Sequence, residues 1–219
     1  MTEILNSRLE STGAIVEALR HTPAGDRPRV LVNASGIDYY GDRGEETVTE
    51  ESPAGTSFLA GVSQRWEEAA REAEALEVRV VLMRTALAFG RAAPAFRLVV
   101  LPFRLFAGGA LGNGRQWFTW IQIDDLVGLY RFALEHESVR GAINAVAPDI
   151  RPQRQVAQEI GRALHRPSVM PTPAPLLKLA LGRQSELLLD GRRATPEKAE
   201  RLGYRFRYPT LPEALRGSL

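Results

Sequence analysis

The sequence predicts an α/β protein: a doubly wound parallel sheet in a three-layer sandwich, followed by a small helical region at the C-terminus. Three observations carry this. Val30, Leu31 and Val32 form a continuous apolar run, the mark of a strand covered on both faces. Residues 55–76 read as a helix and residues 78–83 as a second apolar strand, a strand–helix–strand spacing that suits a right-handed parallel crossover. Ser35, Tyr39 and Tyr40 follow the first strand and lead into an acid-rich loop, the place where an open parallel sheet offers polar groups to a ligand.

The elements follow in order. Leu5, Leu9, Val16 and Leu19 recur at helical spacing, so residues 2–20 form an amphipathic helix that ends before Pro23. In 55–76, Phe58, Leu59, Val62, Trp66, Ala70 and Ala73 fall on the buried side, with Glu67, Glu68, Arg71 and Glu72 toward water. Residues 84–93 read as a loop, 94–106 as a helix, and 108–114 (GGALGNG) as turns. Alternation over 117–125 suggests a short strand, with Asp124 placed to cap a helix at 126–135. A third strand is expected at 141–147, and Pro152 opens a helix to Leu164. Beyond Pro167 short helices alternate with Pro and Gly, and Thr195-Pro196 is expected to cap a helix closed by Gly203.

Composition narrows the function classes. Zero cysteines exclude a disulfide framework, a thiolate zinc site and a cysteine nucleophile, which fits a reducing cytoplasm. His21, His136 and His165 have no metal-ligand spacing. The N-terminus carries acids and no apolar segment flanked by basic residues, so it is not read as a signal peptide. The most apolar run, 98–111, is broken by Pro102 and Arg104 and is too short for a bilayer. Residues 151–219 hold 13 Lys/Arg against 6 Asp/Glu, whereas residues 1–150 hold 15 against 20. The basic tail lacks an RNA-binding or recognition-helix signature, so a solvated face is expected in place of a nucleic-acid surface.

Three motifs in one order, YYGDRG, GNGRQWFTWIQIDDL and TPEKAERLGYRFRYPTLPEAL, resemble the atypical extended short-chain dehydrogenase/reductases known as nucleoside-diphosphate-sugar epimerase-like. The resemblance covers nearly the whole chain. It implies a Rossmann-like NAD(P)-binding part at 1–165 and a small C-terminal domain of unknown function at 166–219. It also implies NADP or NAD as cofactor and redox or epimerase chemistry on a small, nucleotide-linked substrate. Against the family pattern, the chain is expected to begin just ahead of the fifth strand. The glycine-rich turn G-x-G-x-x-G, whose backbone N–H groups cradle the pyrophosphate, does not occur. The partial sheet is then expected to leave an apolar edge at 29–35 and to self-associate through it.

The usual Tyr-x-x-x-Lys pair, in which the ammonium lowers the tyrosine pKa, is also missing. Tyr39, Tyr40, Tyr130, Tyr204 and Tyr208 are followed four residues on by Arg43, Gly44, Leu134, Tyr208 and Pro212. The resemblance places Ser35 and Tyr40 as catalytic candidates, and Ser35, Arg84, Thr85 and Leu87 against the nicotinamide. Arg115, Gln116, Trp117 and Trp120 read as a substrate loop, since a guanidinium suits phosphate and an indole suits a sugar or base. Each has a second reading: a strand-end turn for Ser35, ring packing for Tyr40, a carboxylate partner for Arg84, a domain-interface anchor for the tryptophans. Asp124 and Asp125 read as a cap and a salt bridge. Gln122 stands where the family usually has histidine, which removes a group able to titrate near neutrality. The expectation is an NAD(P)-dependent epimerase-like oxidoreductase. The alternative is a non-catalytic module that recognises a phosphorylated metabolite or a protein.

Overall fold

The computed structural model describes residues 2–219. Helix α1 (Thr2–His21) leads to strand β1 (Val30–Gly36), a 3-10 turn (Ile37–Tyr40) and the short β2 (Thr47–Val48). Helix α2 (Phe58–Arg71) with a 3-10 extension (Glu72–Leu76), β3 (Arg79–Thr85), β4 (Leu87–Phe89) and α3 (Pro94–Arg104) follow. Then come β5 (Trp117–Phe118), β6 (Trp120–Gln122), α4 (Ile123–Glu135), β7 (Gly141–Ala145), β8 (Arg151–Pro152) and α5 (Gln153–Leu164). The chain ends with α6 (Ala174–Leu181), α7 (Glu186–Leu189), β9 (Arg193–Ala194), α8 (Glu197–Arg201) and α9 (Leu211–Ser218).

The expected sheet is present, with β1, β3 and β7 parallel in the order β1-β3-β7. Because side chains alternate across a strand, Leu31, Val80 and Leu82 meet Val16 and Leu19 of α1 and Ala70 of α2. Val30, Val32, Val81 and Met83 meet Leu129 and Ala133 of α4 on the other face. That makes three layers, and it explains why the strands are apolar on consecutive residues. A further core joins Phe96 and Phe103 of α3 to Val156 and Ile160 of α5 and to Leu211 and Leu215 of α9.

Local reading departs from the structure in four places. Residues 84–93 are not a plain loop: Thr85 extends β3, and Leu87–Phe89 pairs in parallel with Trp120–Gln122, a partner too distant in sequence to leave a local pattern. The stretch 117–125 holds two short strands, and α4 starts at Ile123. Its cap is Gln122, whose carboxamide oxygen accepts from the Asp124 N–H, so Asp124 lies in the first turn. Pro196 precedes α8 without a side-chain cap. Finally, Glu67 is buried, in line with Ala60, Ser63 and Ala70 on the inner stripe of α2, because it has an ionic partner in the sheet.

The tail is fastened by one carboxylate. Asp125, 1% exposed, accepts from the Arg207 N–H at 2.7 Å through Oδ1 and from the Tyr208 N–H at 2.9 Å through Oδ2. The Tyr204 hydroxyl donates to the Asp125 carbonyl at 2.9 Å, and burial beside this carboxylate pushes the phenol pKa up. These bonds hold residues 204–208 against α4 and aim α9 at α5. Replacing Asp125 with Ala strands two backbone N–H groups away from their acceptors, with a loss of about 2–4 kcal/mol expected. Urea unfolding of Asp125→Ala should show a lower midpoint with an unchanged slope.

Candidate functional site

The carboxyl ends of the three long strands carry a polar row. Ser35 of β1, Arg84 of β3 and Asn144 of β7 are direct neighbours in register, and by strand alternation all three project toward the α1–α2 layer. Arg84 forms a two-pronged ion pair with Glu67 of α2, Nε to Oε1 at 2.8 Å and Nη2 to Oε2 at 2.9 Å. Both side chains are at most 4% exposed. Ser35 Oγ donates to the same Glu67 Oε1 at 2.7 Å. The guanidinium carbon lies 3.4 Å from the Tyr39 ring centroid, and Arg84 Nη1 donates to the Tyr40 hydroxyl at 2.9 Å.

From Tyr40 the network continues into the acid-rich loop. Its hydroxyl donates to Asn144 Oδ1 at 2.7 Å; the Asn144 N–H donates to Glu50 Oε1 at 2.9 Å, and Asn144 Nδ2 to the Thr195 carbonyl at 3.0 Å. Burial pushes the Tyr40 pKa up to about 12 against the pull of Arg84. Burial also raises Glu50, whose Oε2 is buried without a hydrogen bond. Gly55 belongs to the same turn, since a Cβ there would stand 2.5 Å from the Tyr40 carbonyl oxygen.

Next to this row a cavity of about 620 Å³ opens at the carboxyl edge of the sheet. Thr85, Ala86 and Leu87 form its floor; Leu98, Val99 and Phe103 of α3 and Leu177 of α6 stand on its sides, and Trp117 and Phe118 close one wall. Charge is confined to Asp38, Asp190 and Arg192 among the described lining residues. Arg192 Nη2 lies 3.0 Å from Asp38 Oδ1 and 3.3 Å from Asp190 Oδ2. Burial raises both carboxyl pKa values and Arg192 opposes it. Asp38 is in the 3-10 turn after β1, whereas Asp190 and Arg192 come from the segment joining α7 to β9, so two distant parts of the chain build this wall.

The expected site residues therefore divide. Thr85, Leu87 and Trp117 line the cavity. Ser35, Tyr40 and Arg84 lie inside the buried network, each already engaged by protein partners. Gln116 binds backbone carbonyls of Leu111 and Leu188, both at 3.0 Å, and so ties cavity walls together. Arg115 is exposed and absent from the lining. Trp120, 1% exposed, stacks on Phe89 in the core and donates to the Asp149 carbonyl at 2.9 Å. Asp38, Asp190 and Arg192 escaped sequence reasoning. Asp38 was in plain view between Ser35 and Tyr40, while the other two have no signal before the tail folds back.

Comparison with known proteins adds the following. Residues 172–217 match the model of a domain of unknown function, DUF1731. A chloroplastic homologue of epimerase family protein SDR39U1 from Arabidopsis thaliana is 39% identical over 214 residues, 98% of this chain and 61% of that protein. Epimerase family protein YfhF of Bacillus subtilis is 35% identical over 213 residues, 97% of this chain and 69% of that protein. The crystal structure of human epimerase family protein SDR39U1 with NADPH superposes at a TM-score of 0.90 with 34% identity, over 97% of this chain and 72% of that one. The chain thus spans roughly two thirds of these relatives.

Two expectations follow from the network. Arg84→Met leaves the Glu67 carboxylate buried without its partner and should lose about 3–5 kcal/mol, with much of that recovered in Arg84→Met/Glu67→Leu; a double-mutant cycle by chemical denaturation checks it. For Glu50, a pKa raised in the folded state means that the native form binds more protons than the unfolded chain above the ordinary value of 4.5. Its contribution is full below that value and fades as pH rises through the raised one. Stability measured against pH should fall over that window, and Glu50→Gln should flatten the decline.

Proposed function

The chain belongs to the epimerase family of SDR39U1 and YfhF, and on that premise we propose that it performs NAD(P)-dependent, epimerase-like oxidoreductase chemistry on a small molecule held in the cavity at the sheet's carboxyl edge. The observation that carries this reading is the position of the cavity. It lies where an open parallel sheet binds ligands, with Thr85 and Leu87 of the segment after β3 in its floor. The NADPH in the human relative's structure supports the choice of cofactor.

The residues present suit the nicotinamide end of a dinucleotide. For the pyrophosphate, the 219 residues offer no glycine-rich turn as a cradle. A bound nicotinamide would supply or accept a hydride. The chain's part is to hold the substrate against Thr85 and Leu87, exclude water with α3 and α6, and manage a proton. With no Tyr-x-x-x-Lys pair, the titratable groups in the described lining are Asp38 and Asp190. A carboxyl raised by burial keeps its proton to higher pH, which moves it toward the range in which a general acid or base works.

The non-catalytic reading draws support from Ser35 and Tyr40, whose hydroxyls are spent on Glu67 and Asn144. It predicts ligand binding without turnover, so cofactor oxidation with any substrate eliminates it. Placement in the cytoplasm is proposed on the absence of cysteines; no helix among the described residues is long and apolar enough to cross a membrane.

Titration with NADPH, followed by tryptophan fluorescence, should give a saturable change with a Kd on the order of 1 mM, as befits half a cofactor site. Trp117→Phe should remove most of the signal, and silence to millimolar NADPH sinks the cofactor assignment for this chain. We also propose self-association through β1, whose recorded ladder pairs it with β3 alone among the described residues. Sedimentation should show a concentration-dependent dimer, whereas a strict monomer contradicts it.

A further inference from the structure

The exposed apolar side chains are not scattered. Of the twelve large apolar side chains exposed among the described residues, eight fall in two short segments, 98–106 and 169–179. On α3, Leu98, Leu101 and Leu105 recur at i, i+3 and i+7, so one stripe of the helix faces water while Phe96, Val100 and Phe103 hold the core. Phe106 continues the exposed run past the helix end. Val169, Met170, Leu176 and Leu179 extend it onto the segment that carries α6. The two segments are joined, since the Met170 N–H donates to the Gly108 carbonyl at 3.1 Å and the Arg166 guanidinium carbon stands 4.3 Å from the Phe106 ring centroid. Single exposed leucines are ordinary, whereas a set gathered from two parts of the chain marks a contact surface.

Charge on these segments has one sign. The sequence holds no Asp or Glu between Glu77 and Asp124, and none between Glu159 and Glu186. Arg97 and Arg104, seven residues apart, flank Leu101 on the exposed side of α3, and Arg166 and Lys178 are exposed on the second segment. None of these four pairs with a carboxylate among the described residues, in contrast to Arg20, Arg131 and Arg162. Pro102 and Arg104 keep 98–111 from spanning a bilayer. Leucines interleaved with cations and free of acids are instead the pattern of a surface that lies on one.

We propose that the outer face of α3 and α6 docks on a membrane surface rich in anionic lipid, with the leucines and Phe106 entering the headgroup boundary and the four cations meeting lipid phosphates. Such docking is peripheral and needs neither cofactor nor substrate. A second copy of the chain suits this face poorly, because patch on patch sets cation against cation with no acid between them. A peptide groove suits it no better: Leu105 at 67% exposure and Leu179 at 85% project from the surface and line no pit. Leu98 belongs both to the stripe and to the cavity lining, so docking brings the lipid surface alongside the cavity.

The probes are vesicles of phosphatidylcholine with about one third phosphatidylserine, and vesicles of phosphatidylcholine alone. In flotation the full chain should rise with the anionic vesicles and stay behind with the neutral ones. Raising salt from about 0.1 M to about 0.5 M should release most of it. Leu105→Asp/Leu179→Asp and Arg97→Glu/Arg104→Glu, all at exposed positions outside the cavity lining, should each cut the bound fraction about tenfold. Arg65→Glu/Arg140→Glu makes the same change in net charge on α2 and ahead of β7, and should leave binding within about twofold. Circular dichroism establishes that each variant folds, and if one patch variant does not, the other decides. Failure to float with anionic vesicles, equal flotation with neutral ones, folded patch variants that bind as before, or an Arg65/Arg140 control that loses as much overturns the proposal. So does a dimer that Leu105→Asp/Leu179→Asp dissociates in a chain that leaves the vesicles unbound, which gives the face to a second copy.

Discussion

The bidentate Arg84–Glu67 pair is the constraint around which the upper half of the molecule is arranged. A guanidinium and a carboxylate withdrawn from water are tolerated only when their remaining hydrogen-bonding capacity is met. Here it is met by Ser35, Tyr40 and the Glu50 carbonyl, each from a different part of the chain. The pair fixes α2 to the sheet, and through Tyr40 and Asn144 it fixes the loop at 41–54 over the strand ends. Such a network contributes less to net stability than to uniqueness, because any other packing leaves a buried charge alone.

A second fastening acts on the opposite side. Asp125 gathers the backbone at 207–208, and α9 is thereby set against α5. The pairing of β9 with β2 and the bond from the Gly191 N–H to Asp42 Oδ1 bring the preceding segment over the sheet's edge. Asp190 and Arg192 reach Asp38 for that reason. The cavity wall is thus a product of the ionic network at the strand ends and of the β2–β9 pairing with its Asp42 bond. Leu177 is brought to the cavity's side separately, by backbone bonds between 110–112 and Thr172 just ahead of α6.

The resemblance in motif order placed the chain in its family, and local periodicity placed the three long strands and α1, α2, α3 and α5 with ends displaced by a few residues. The short strands were less visible. Two- and three-residue strands such as β4 and β6 carry no period, and their identity rests on a partner. Among the site candidates, Thr85, Leu87 and Trp117 were legible from the segments that bear them. Ser35 and Arg84 were equally legible as polar residues at strand ends, but the same pattern serves a buried ion pair, and nothing local distinguishes the two. Glu67 misled because a carboxylate on a helix is ordinarily solvated, and the arginine that buries it lies 17 residues away on another element.

The sequence by itself determined the layer order and the polar row at the strand ends, since alternation and apolar runs are local consequences of which residues shun water. It also determined that no Tyr-x-x-x-Lys pair and no glycine-rich turn can be assembled from these residues. Only the tertiary structure decided which polar groups are consumed and which remain available. Ser35 faces Glu67 because α2 packs on the sheet, and Asp38 stands beside Arg192 because the tail returns over the sheet's edge. That return is set by the pairing of β2 with β9 and by the Gly191 N–H on Asp42 Oδ1, partners 149 residues apart, a closure that local chain energetics do not encode.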